Sequence, residues 1–400
     1  MSRRFGNLVN YSLSCIKRYR IRTFVILISL VTATALISSM LFIKDGISRD
    51  GQISLKYAPD ITVQAIQNGR QTFINTSYIP LIQPTLGVKT VIDRIWGYGN
   101  IGNTLVVIVG IDTETPIINL DSAYPIESGT FLEADQDSTV VMGKAVADLL
   151  GAKVGNVLSL ISESNQVHKF KIVGVFNTES GIYNSDTILM TKTDARLFFD
   201  VPEGKATDLL IYTEEIDPQF YRTQVNFIAR ETSELPNVRV LTKDIIASAQ
   251  EVTYGSKSGY FSILWILVLI AVAIVAFNQT VVVGHESKFE IGLLKALGFS
   301  TSDIIQIRLI EGTVLGFLAG SIGLIVGILF DSVLNAPVLK DFILGWATLY
   351  PAFPVPLLIS AETVFLTYVI SIVPLLFAIV IPSWLNATVD PDISMRGARA

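Results

Sequence analysis

Four long stretches of the chain are rich in apolar residues and contain no Asp, Glu, Lys or Arg. They lie between Arg22 and Lys44, Lys257 and Glu286, Glu311 and Asp331, and Glu362 and Asp390. A helix of about 20 residues crosses the hydrocarbon core of a bilayer, and it pairs its own backbone N–H and C=O groups while doing so. The pattern therefore predicts four transmembrane helices, at residues 23–43, 260–283, 310–330 and 363–385.

A fifth charge-free stretch, residues 342–361, differs in composition from the other four. Pro351, Pro354 and Pro356 would interrupt a helix repeatedly, and Trp346 and Tyr350 are residue types that favour the membrane–water interface. We interpret it as a loop resting on the membrane surface. The count of spans then stays even, which places both termini on the same side.

Residues 44–259 alternate between short β-branched runs and short amphipathic segments, a pattern typical of an α+β domain. Predicted strands are residues 61–65, 105–111, 140–142, 157–161, 170–175, 187–190, 209–212 and 238–241. Predicted helices are residues 144–150, 194–199, 217–231 and 243–250. The fold class is thus an α-helical membrane protein with four transmembrane helices and a large α+β domain inserted between helices 1 and 2.

Composition and charge support this interpretation and orient the chain. Half of the residues are hydrophobic, 16% are charged and the mean hydropathy is +0.52. Six basic residues precede the first span with no acidic residue among them, so the N-terminus is expected in the cytoplasm. Residues 45–258 carry 17 Lys and Arg against 26 Asp and Glu, and are expected outside the cytoplasm. This acidic balance argues against nucleic-acid binding.

These expectations divide the chain into nine segments. The spans separate a basic cytoplasmic or interfacial segment (1–22), an extracytoplasmic core domain (44–259), a cytoplasmic loop (284–309), an extracytoplasmic loop (331–362) and a cytoplasmic tail (386–400).

No arrangement of residues in the sequence indicates catalysis or metal binding. Cys15 is the single cysteine, which excludes a disulfide scaffold and a Cys-based zinc module. His168 and His285 are expected on opposite sides of the membrane and cannot share a metal. Ser14 and Lys17 match S-x-x-K, but they lie in a basic segment beside the membrane. We expect no catalytic residue, no metal and no cofactor bound by this chain.

The third predicted span carries Gly312, Gly316 and Gly320 at four-residue spacing, on one face of a helix. Such a face lets another helix backbone approach closely. The partner is either another span of the same chain or a second subunit, and the sequence leaves both open.

The residue pattern of the loop before that span predicts a short amphipathic helix, which contains Glu290, Ile291, Leu294, Lys295 and Leu297. Gly298 is expected to end this helix with a positive φ, and Ser300 or Thr301 to cap the next one. Glu311 is expected at the inner interface, paired with Lys295 or Arg308 or in contact with a partner protein.

The run from Glu290 to Ser300 (EIGLLKALGFS), followed by Asp303-Ile304-Ile305, Glu311 and Gly316, resembles the membrane domain of MacB/FtsX/LolC-type ABC transporter permeases. Residues 140–147 (VVMGKAVA) and 172–175 (IVGV) are similar to the external core domain of the same family, and residues 391–396 (PDISMR) resemble its closing P-x-x-x-L-R pattern. The resemblance covers essentially the whole chain, although residues 56–135 match nothing assignable.

The resemblance implies a permease subunit in a bacterial inner membrane, worked by a separate ATPase. No G-x-x-x-x-G-K-[ST] loop occurs in the sequence, so ATP and Mg²⁺ are expected on the partner ATPase. The family's coupling helix corresponds to the short loop helix. The implied ATPase-coupling residues are Lys288, Glu290, Ile291, Leu294, Lys295, Leu297 and Gly298.

The resemblance also implies a role and further partners. A second permease chain, most simply in a homodimer, would complete the complex, and the output would be export or extraction of a substrate from the outer leaflet or periplasm. Whether a periplasmic adaptor (a membrane fusion protein) joins stays open. Two alternatives remain: an FtsX-like transmitter that regulates an external enzyme without transport, and a membrane-anchored receptor or scaffold with no ATPase.

Overall fold

A computed structural model describes residues 2–102, 104–112, 120–134, 136–162, 164–181, 186–214, 220–249, 252, 266–267, 270, 273–274, 277, 293–337, 339 and 356–388. The chain divides into two compact units. The helical unit comprises Met1–Gly46, Ser256–Ile343 and Leu357–Ala400, and the sheet unit comprises Ile47–Gly255 and Leu344–Pro356.

The helices with printed bounds are numbered here in chain order. They are α1 (Ser2–Arg18), α2 (Arg20–Lys56), α3 (Ile79–Ile82), α4 (Leu120–Ala123), α5 (Lys144–Leu150), α6 (Lys192–Phe198), α7 (Tyr221–Ser233), α8 (Thr301–Leu334) and α9 (Ala361–Thr388). Residues 243–249 are also helical.

The strands are numbered in the same way. They are β1 (Ile61–Gln67), β2 (Arg70–Thr72), β3 (Ile74–Asn75), β4 (Val88–Ile101), β5 (Thr104–Ile111), β6 (Ile126–Gly129), β7 (Thr139–Gly143), β8 (Val157–Ile161), β9 (Val167–Phe176), β10 (Thr187–Thr191), β11 (Lys205–Ala206), β12 (Asp208–Thr213) and β13 (Val238–Thr242).

Within the described residues, three helical segments are long and apolar enough to cross a membrane: Thr23–Lys56, Thr301–Leu334 and Ala361–Val380. They coincide with the first, third and fourth predicted spans, and each helix extends beyond the predicted bounds. Most of the second predicted span, 260–283, lies outside the described residues, as does the proline-rich stretch up to residue 355. Three such helices are typical of a membrane protein, while the predicted count of four spans stays a prediction.

The glycine face of α8 packs against α9 of the same chain. A Cβ added at Gly316 would lie 3.0 Å from the Ile372 side chain and 3.1 Å from its Cα, so any larger residue would push α9 away by a few tenths of an ångström. Gly312 meets Leu376 and Ile379 in the same way. Because lipid supplies no hydrophobic drive for helix association, this close contact is what holds the two helices together.

A hydrogen bond and an aromatic stack strengthen the α8–α9 pair. Ser371 on α9 donates a buried hydrogen bond of 2.8 Å to the carbonyl oxygen of Gly316. Tyr368, whose ring lies against Gly320, stacks on Phe317 with a centroid distance of 5.1 Å. The predicted glycine face is thus occupied within the chain, the first of the two alternatives that the sequence left open.

The next glycines along α8 face α2. A Cβ at Gly323 would lie 2.7 Å from Thr34, and one at Gly327 would lie 2.3 Å from the hydroxyl oxygen of Ser38. The first glycines of α8 therefore face α9 and the later ones face α2, so this one helix packs closely against two others.

The sheet unit is organised around one long strand, β4. Its first half pairs with β12, for example Ile92 with Leu210, and its second half pairs with β5, for example Ile95 with Gly110. The strand order is β13-β1-β12-β4-β5-β10-β7-β9-β6, with β2 beside β1 and β8 beside β4 and β9; β3 pairs with β11 separately. Strands β5 and β10 are parallel, as are β7 and β9.

The two halves of this sheet have separate hydrophobic cores. One core packs around Ile61, Ile211 and Ile228, and the other around Ile108, Met142 and Phe198, all at most 1% exposed. All eight predicted strands are present. The sequence did not predict β4, because its three charged residues and its glycines are unusual in a strand interior.

Replacing Gly316 by valine should disrupt the α8–α9 contact. The added atoms have no space against the backbone of Ile372, and overpacking of this kind costs about 1–3 kcal/mol. We expect a lower thermal unfolding midpoint for the purified chain in detergent. Thr313→Val, at an exposed position of the same helix, is the matched control and should leave the midpoint unchanged. Equal midpoints for the two variants would contradict this packing.

Asp186 should make the stability of the sheet unit depend on pH. Burial raises its pKa from 3.8 to about 6, and its Oδ1 is buried without a hydrogen-bond partner among the described residues. Between about pH 4 and pH 6 the folded state binds a proton that the unfolded chain releases, so stability falls as pH rises through this window.

Asp186→Asn should therefore unfold at a higher temperature than the wild type at pH 7.5. The expected gain is about 2–3 kcal/mol, since one pKa unit corresponds to about 1.4 kcal/mol. At pH 4 the two proteins should unfold together. The exposed Asp148→Asn is the control, and a difference that is the same at both pH values would refute the assignment.

Candidate functional site

The described part of the predicted coupling segment begins with the helical residues 293–296. Gly298 follows with φ +93°, the amide of Gly298 donates to the Lys295 carbonyl at 2.9 Å, and the amide of Phe299 donates to the Leu294 carbonyl at 3.0 Å. These two bonds form a Schellman motif, which satisfies the last carbonyls of the helix. The expected helix end at Gly298 is confirmed.

The next helix begins immediately, and Ser300 rather than Thr301 caps it. The Ser300 hydroxyl accepts a hydrogen bond of 3.2 Å from the Asp303 amide, and the Asp303 carboxylate accepts one of 2.8 Å from the Ser300 amide. This reciprocal arrangement is a capping box. Only Gly298 and Phe299 separate the loop helix from the first cap of α8, so the connection is short and fully hydrogen-bonded.

The loop helix exposes apolar side chains. Leu293 is 49% exposed and Leu297 is 69% exposed, and the two are one helical turn apart. Leu294 and Lys295 are half-buried. An exposed leucine pair beside a rigid turn is a surface suited to a protein partner. Lys288, Glu290 and Ile291, also predicted to couple to an ATPase, lie outside the described residues.

Glu311, near the start of α8, pairs with Arg308. The Arg308 Nη1 atom lies 2.8 Å from the Glu311 carboxylate, and both side chains are buried, at 14% and 5% exposure. Of the pairings expected from the sequence, this is the one that the structure shows. A buried charge needs such a partner, because an uncompensated charge in an apolar environment is very costly.

Two further acidic residues of the helical unit bind hydroxyl groups. Asp331 on α8 is 3% exposed and accepts a hydrogen bond from Ser39 on α2. Asp45 on α2 accepts hydrogen bonds from Thr363 and, at 3.1 Å, from Ser360, which precedes α9. The sequence does not predict these contacts, since Asp331 is interpreted only as the charged limit of an apolar run and Asp45 is not singled out.

Asp50, in the last turns of α2, and Asp60, four residues beyond that helix, make hydrogen bonds within the sheet unit, and the sequence does not single them out. Asp50 is 7% exposed and accepts hydrogen bonds of 3.0 Å from the Ser180 hydroxyl and 3.1 Å from the Gly181 amide. Asp60, just before β1, accepts from the Thr213 amide at 2.8 Å, from the Thr213 hydroxyl at 2.9 Å, and from the Tyr221 hydroxyl.

The backbone of Asp60 makes further contacts. Its amide donates to the Ile211 carbonyl at 3.1 Å, and its carbonyl accepts from the Lys243 amide at 2.9 Å. One residue therefore links the start of β1 to β12, to the first turn of α7 and to the helical residues that follow β13. We call Asp50 and Asp60 the α2 anchor.

His168 and Cys15 lie in the described part of the chain, and His285 lies outside it. His168 lies against Phe198, with ring centroids 5.2 Å apart, and Cys15 is buried. Within the described ranges, no group of three or more His, Cys, Asp or Glu side chains is arranged to hold a metal ion.

Comparison with known families identifies the chain. The family model described as MacB-like periplasmic core domain matches residues 23–239, and the one described as FtsX-like permease C-terminal matches residues 261–390. Since the first alone covers more than half of the chain, the protein belongs to the MacB/FtsX/LolC-like family of ABC transporter permeases.

Two curated proteins are similar in sequence. An uncharacterized ABC transporter permease of Methanocaldococcus jannaschii is 28% identical over 226 residues, covering 54% of this chain and 54% of the relative. The lipoprotein-releasing system transmembrane protein LolC of Neisseria meningitidis serogroup B is 25% identical over 217 residues, covering 48% of this chain and 47% of the relative. The chain thus spans about half the length of the curated relatives it matches.

Two solved structures resemble part of the chain. The periplasmic region of MacB from Actinobacillus actinomycetemcomitans is 12% identical, with a TM-score of 0.33, and is matched over 48% of this chain and 92% of its own. The extracellular domain of the noncanonic ABC-type transporter YknZ from Gram-positive bacteria is 11% identical, also with a TM-score of 0.33, over 46% of this chain and 99% of its own.

Removing the carboxylate of the α2 anchor should destabilise the sheet unit. Asp60→Ala leaves the Thr213 and Tyr221 donors without their charged acceptor, and hydrogen bonds to charged groups contribute about 1.5–3 kcal/mol each. We expect a loss above about 2 kcal/mol in thermal or denaturant unfolding. The control is Asp244→Ala, which removes an exposed ion pair to Arg222 and should cost under about 1 kcal/mol. Similar losses for both variants would contradict the anchoring role.

Proposed function

We propose that this chain is the membrane subunit of an ABC transporter and transmits ATP-driven motion of a separate ATPase to the sheet unit. ATP and Mg²⁺ act on that ATPase, and two permease chains, most simply identical, complete the complex. The N- and C-termini and the loop helix face the cytoplasm, while the sheet unit lies outside it, at a bacterial-type inner membrane.

The observation that carries this proposal is the capped connection between the loop helix and α8. The Schellman motif at Gly298 and the capping box at Ser300 satisfy the backbone groups of both helix ends. Because no flexible linker separates the two helices, a displacement of the loop helix moves α8 with it. Leu293 and Leu297 present the apolar surface that an ATPase would contact.

A second feature supports transmission towards the sheet unit. Helix α2 includes the first span and continues without interruption to Lys56. Its last turns belong to the sheet unit, where Asp50 binds them to the loop after β9, and Asp60, four residues beyond the helix, binds the following segment to β12. A movement of this helix along or about its axis would reach the sheet through these hydrogen bonds.

The proposed output is export or extraction of a substrate held in the outer leaflet or the periplasm. The LolC relative, a lipoprotein-releasing system protein by its name, makes a lipid-anchored cargo one class to be assayed. The proposal does not require a pore through the described helices, because their glycine contacts leave α8 closely packed on both neighbours.

Leu297→Asp tests the proposal. Leu297 is 69% exposed, so the substitution should leave the fold intact, while a charge in an apolar protein contact should prevent binding. The tagged chain is purified from its native membranes and Mg²⁺-dependent ATP hydrolysis in the eluate is measured. We expect activity with the wild type and at least about a tenfold loss with Leu297→Asp, equivalent to about 1.4 kcal/mol of binding.

The matched control is Leu197→Asp, which places the same charge at a leucine of the sheet unit that is 67% exposed. It should retain the activity of the wild type. If the wild-type chain carries no ATPase activity, or if Leu297→Asp retains all of it, the chain does not couple to an ATPase through this helix. A receptor or scaffold function would then be favoured.

A further inference from the structure

The sheet unit contains a cavity of about 180 Å³ that none of the preceding functions uses. It is bordered by β4, β5 and β12, and by residues just after α2. Ile92, Val109 and Leu210 supply apolar side chains, and Tyr57, Tyr124 and Tyr212 supply aromatic ones. At about 30 Å³ per water, this space corresponds to about six water molecules, so it suits a compact ligand.

Arg94 is held in this cavity by a fixed network. Its Nε and Nη2 atoms donate to the two Asp208 oxygens at 3.0 Å and 2.7 Å, and the Trp96 indole also donates to Asp208, at 2.8 Å. Asp208 is completely buried, whereas the Arg94 side chain is 30% exposed. The Nη1 group of Arg94 has no hydrogen-bond partner in the part of the chain that the structure describes. A guanidinium whose Nε and Nη2 groups are fixed by Asp208 is a preorganised donor.

Two phenols border the same space. Tyr212 is 8% exposed, and no hydrogen bond reaches its hydroxyl or that of Tyr124 among the described residues. Burial raises the pKa of Tyr212 to about 12, although the charge of Arg94 opposes it, and burial likewise raises the pKa of Tyr124. Both hydroxyls therefore keep their protons. Neither hydroxyl is among the fully buried polar atoms that lack a partner, so solvent reaches both from the cavity, and a ligand oxygen would take the place of that water.

The geometry points to a binding site for a compact neutral amide, such as one peptide unit with a small side chain. Its carbonyl oxygen accepts hydrogen bonds from Arg94 and the tyrosine hydroxyls, and its apolar part lies against Ile92, Val109 and Leu210. This goes beyond the proposed function, because it holds whether or not the sheet unit responds to an ATPase.

The charge balance selects a neutral ligand over a carboxylate. The Arg94 charge is already compensated by Asp208. Asp93 and Asp112 also border the cavity, and the single Lys192 ammonium contacts them at 2.6 Å and 3.7 Å. Apart from Arg94, the charged residues among the described lining are the two carboxylates Asp93 and Asp112. A ligand carboxylate would add to this negative excess and would lose its hydration, whereas an amide oxygen needs only the donors.

Saturation-transfer NMR on the full chain in detergent tests the proposal. The probe is N-acetylalaninamide, and N-acetylalanine is its carboxylate analogue. We expect the amide to bind the wild type and the carboxylate to bind more weakly. Tyr212→Phe removes one donor and no packing, and should raise the dissociation constant about two- to tenfold. Val109→Phe fills the cavity and should abolish the signal.

Tyr98→Phe is the control, because Tyr98 is 48% exposed and does not border the cavity. It should bind as the wild type does. Absence of binding to the wild type, or equal binding by Val109→Phe, would overturn the site. Tighter binding of the carboxylate than of the amide would overturn the ligand class. Arg94 is not substituted, since its loss would leave Asp208 buried and unpaired.

Discussion

The first residues of the sheet unit depend on carboxylates that accept several hydrogen bonds. Asp60, half-buried just before β1, accepts from an amide and two hydroxyls, while its own backbone joins β12 and the residues after β13. A carboxylate inside a protein is costly unless donors surround it, and the same donors then fix it in one position. Asp50, which is buried in the last turns of α2, accepts from one hydroxyl and one amide. The end of α2 and the start of β1 are thereby each held within the sheet unit by an aspartate.

The helical unit is subject to a different constraint. In lipid, helix association does not release water from apolar surface, so the hydrophobic effect does not drive it. Its helices associate instead through close approach and internal polar bonds. Gly316 lets Ile372 approach to contact distance and offers its carbonyl to Ser371, while Gly327 faces Ser38. In each of these contacts the neighbouring helix approaches the glycine backbone, which a larger side chain would cover. The glycine spacing of α8 is therefore a packing requirement within this chain.

Several features of the structure were predictable because one local cause determines each of them. The absence of charge over about 20 residues marks a span, and the turn at Gly298 follows from a glycine after an amphipathic run. Strands with β-branched alternation were found, whereas β4 was not. Its Asp93 and Arg94 have partners on distant elements, Lys192 and Asp208, and Gly97 provides space for Phe199. Such long-range compensation leaves no signal in the local pattern.

The same reason explains why the cavity and the α2 anchor escape sequence analysis, since both bring together residues about 100 or more positions apart, such as Arg94 with Asp208 and Asp60 with Thr213. A buried Arg–Asp pair is weak evidence for stability, because the loss of hydration offsets much of its attraction. The Arg94–Asp208 pair nevertheless carries an indole contact and faces two phenols with unused hydroxyls. Stability alone would be served as well by apolar side chains of the same volume. The polar arrangement adds a set of donors, Arg94 and two phenols, that border one cavity, and this is where we propose that a ligand binds.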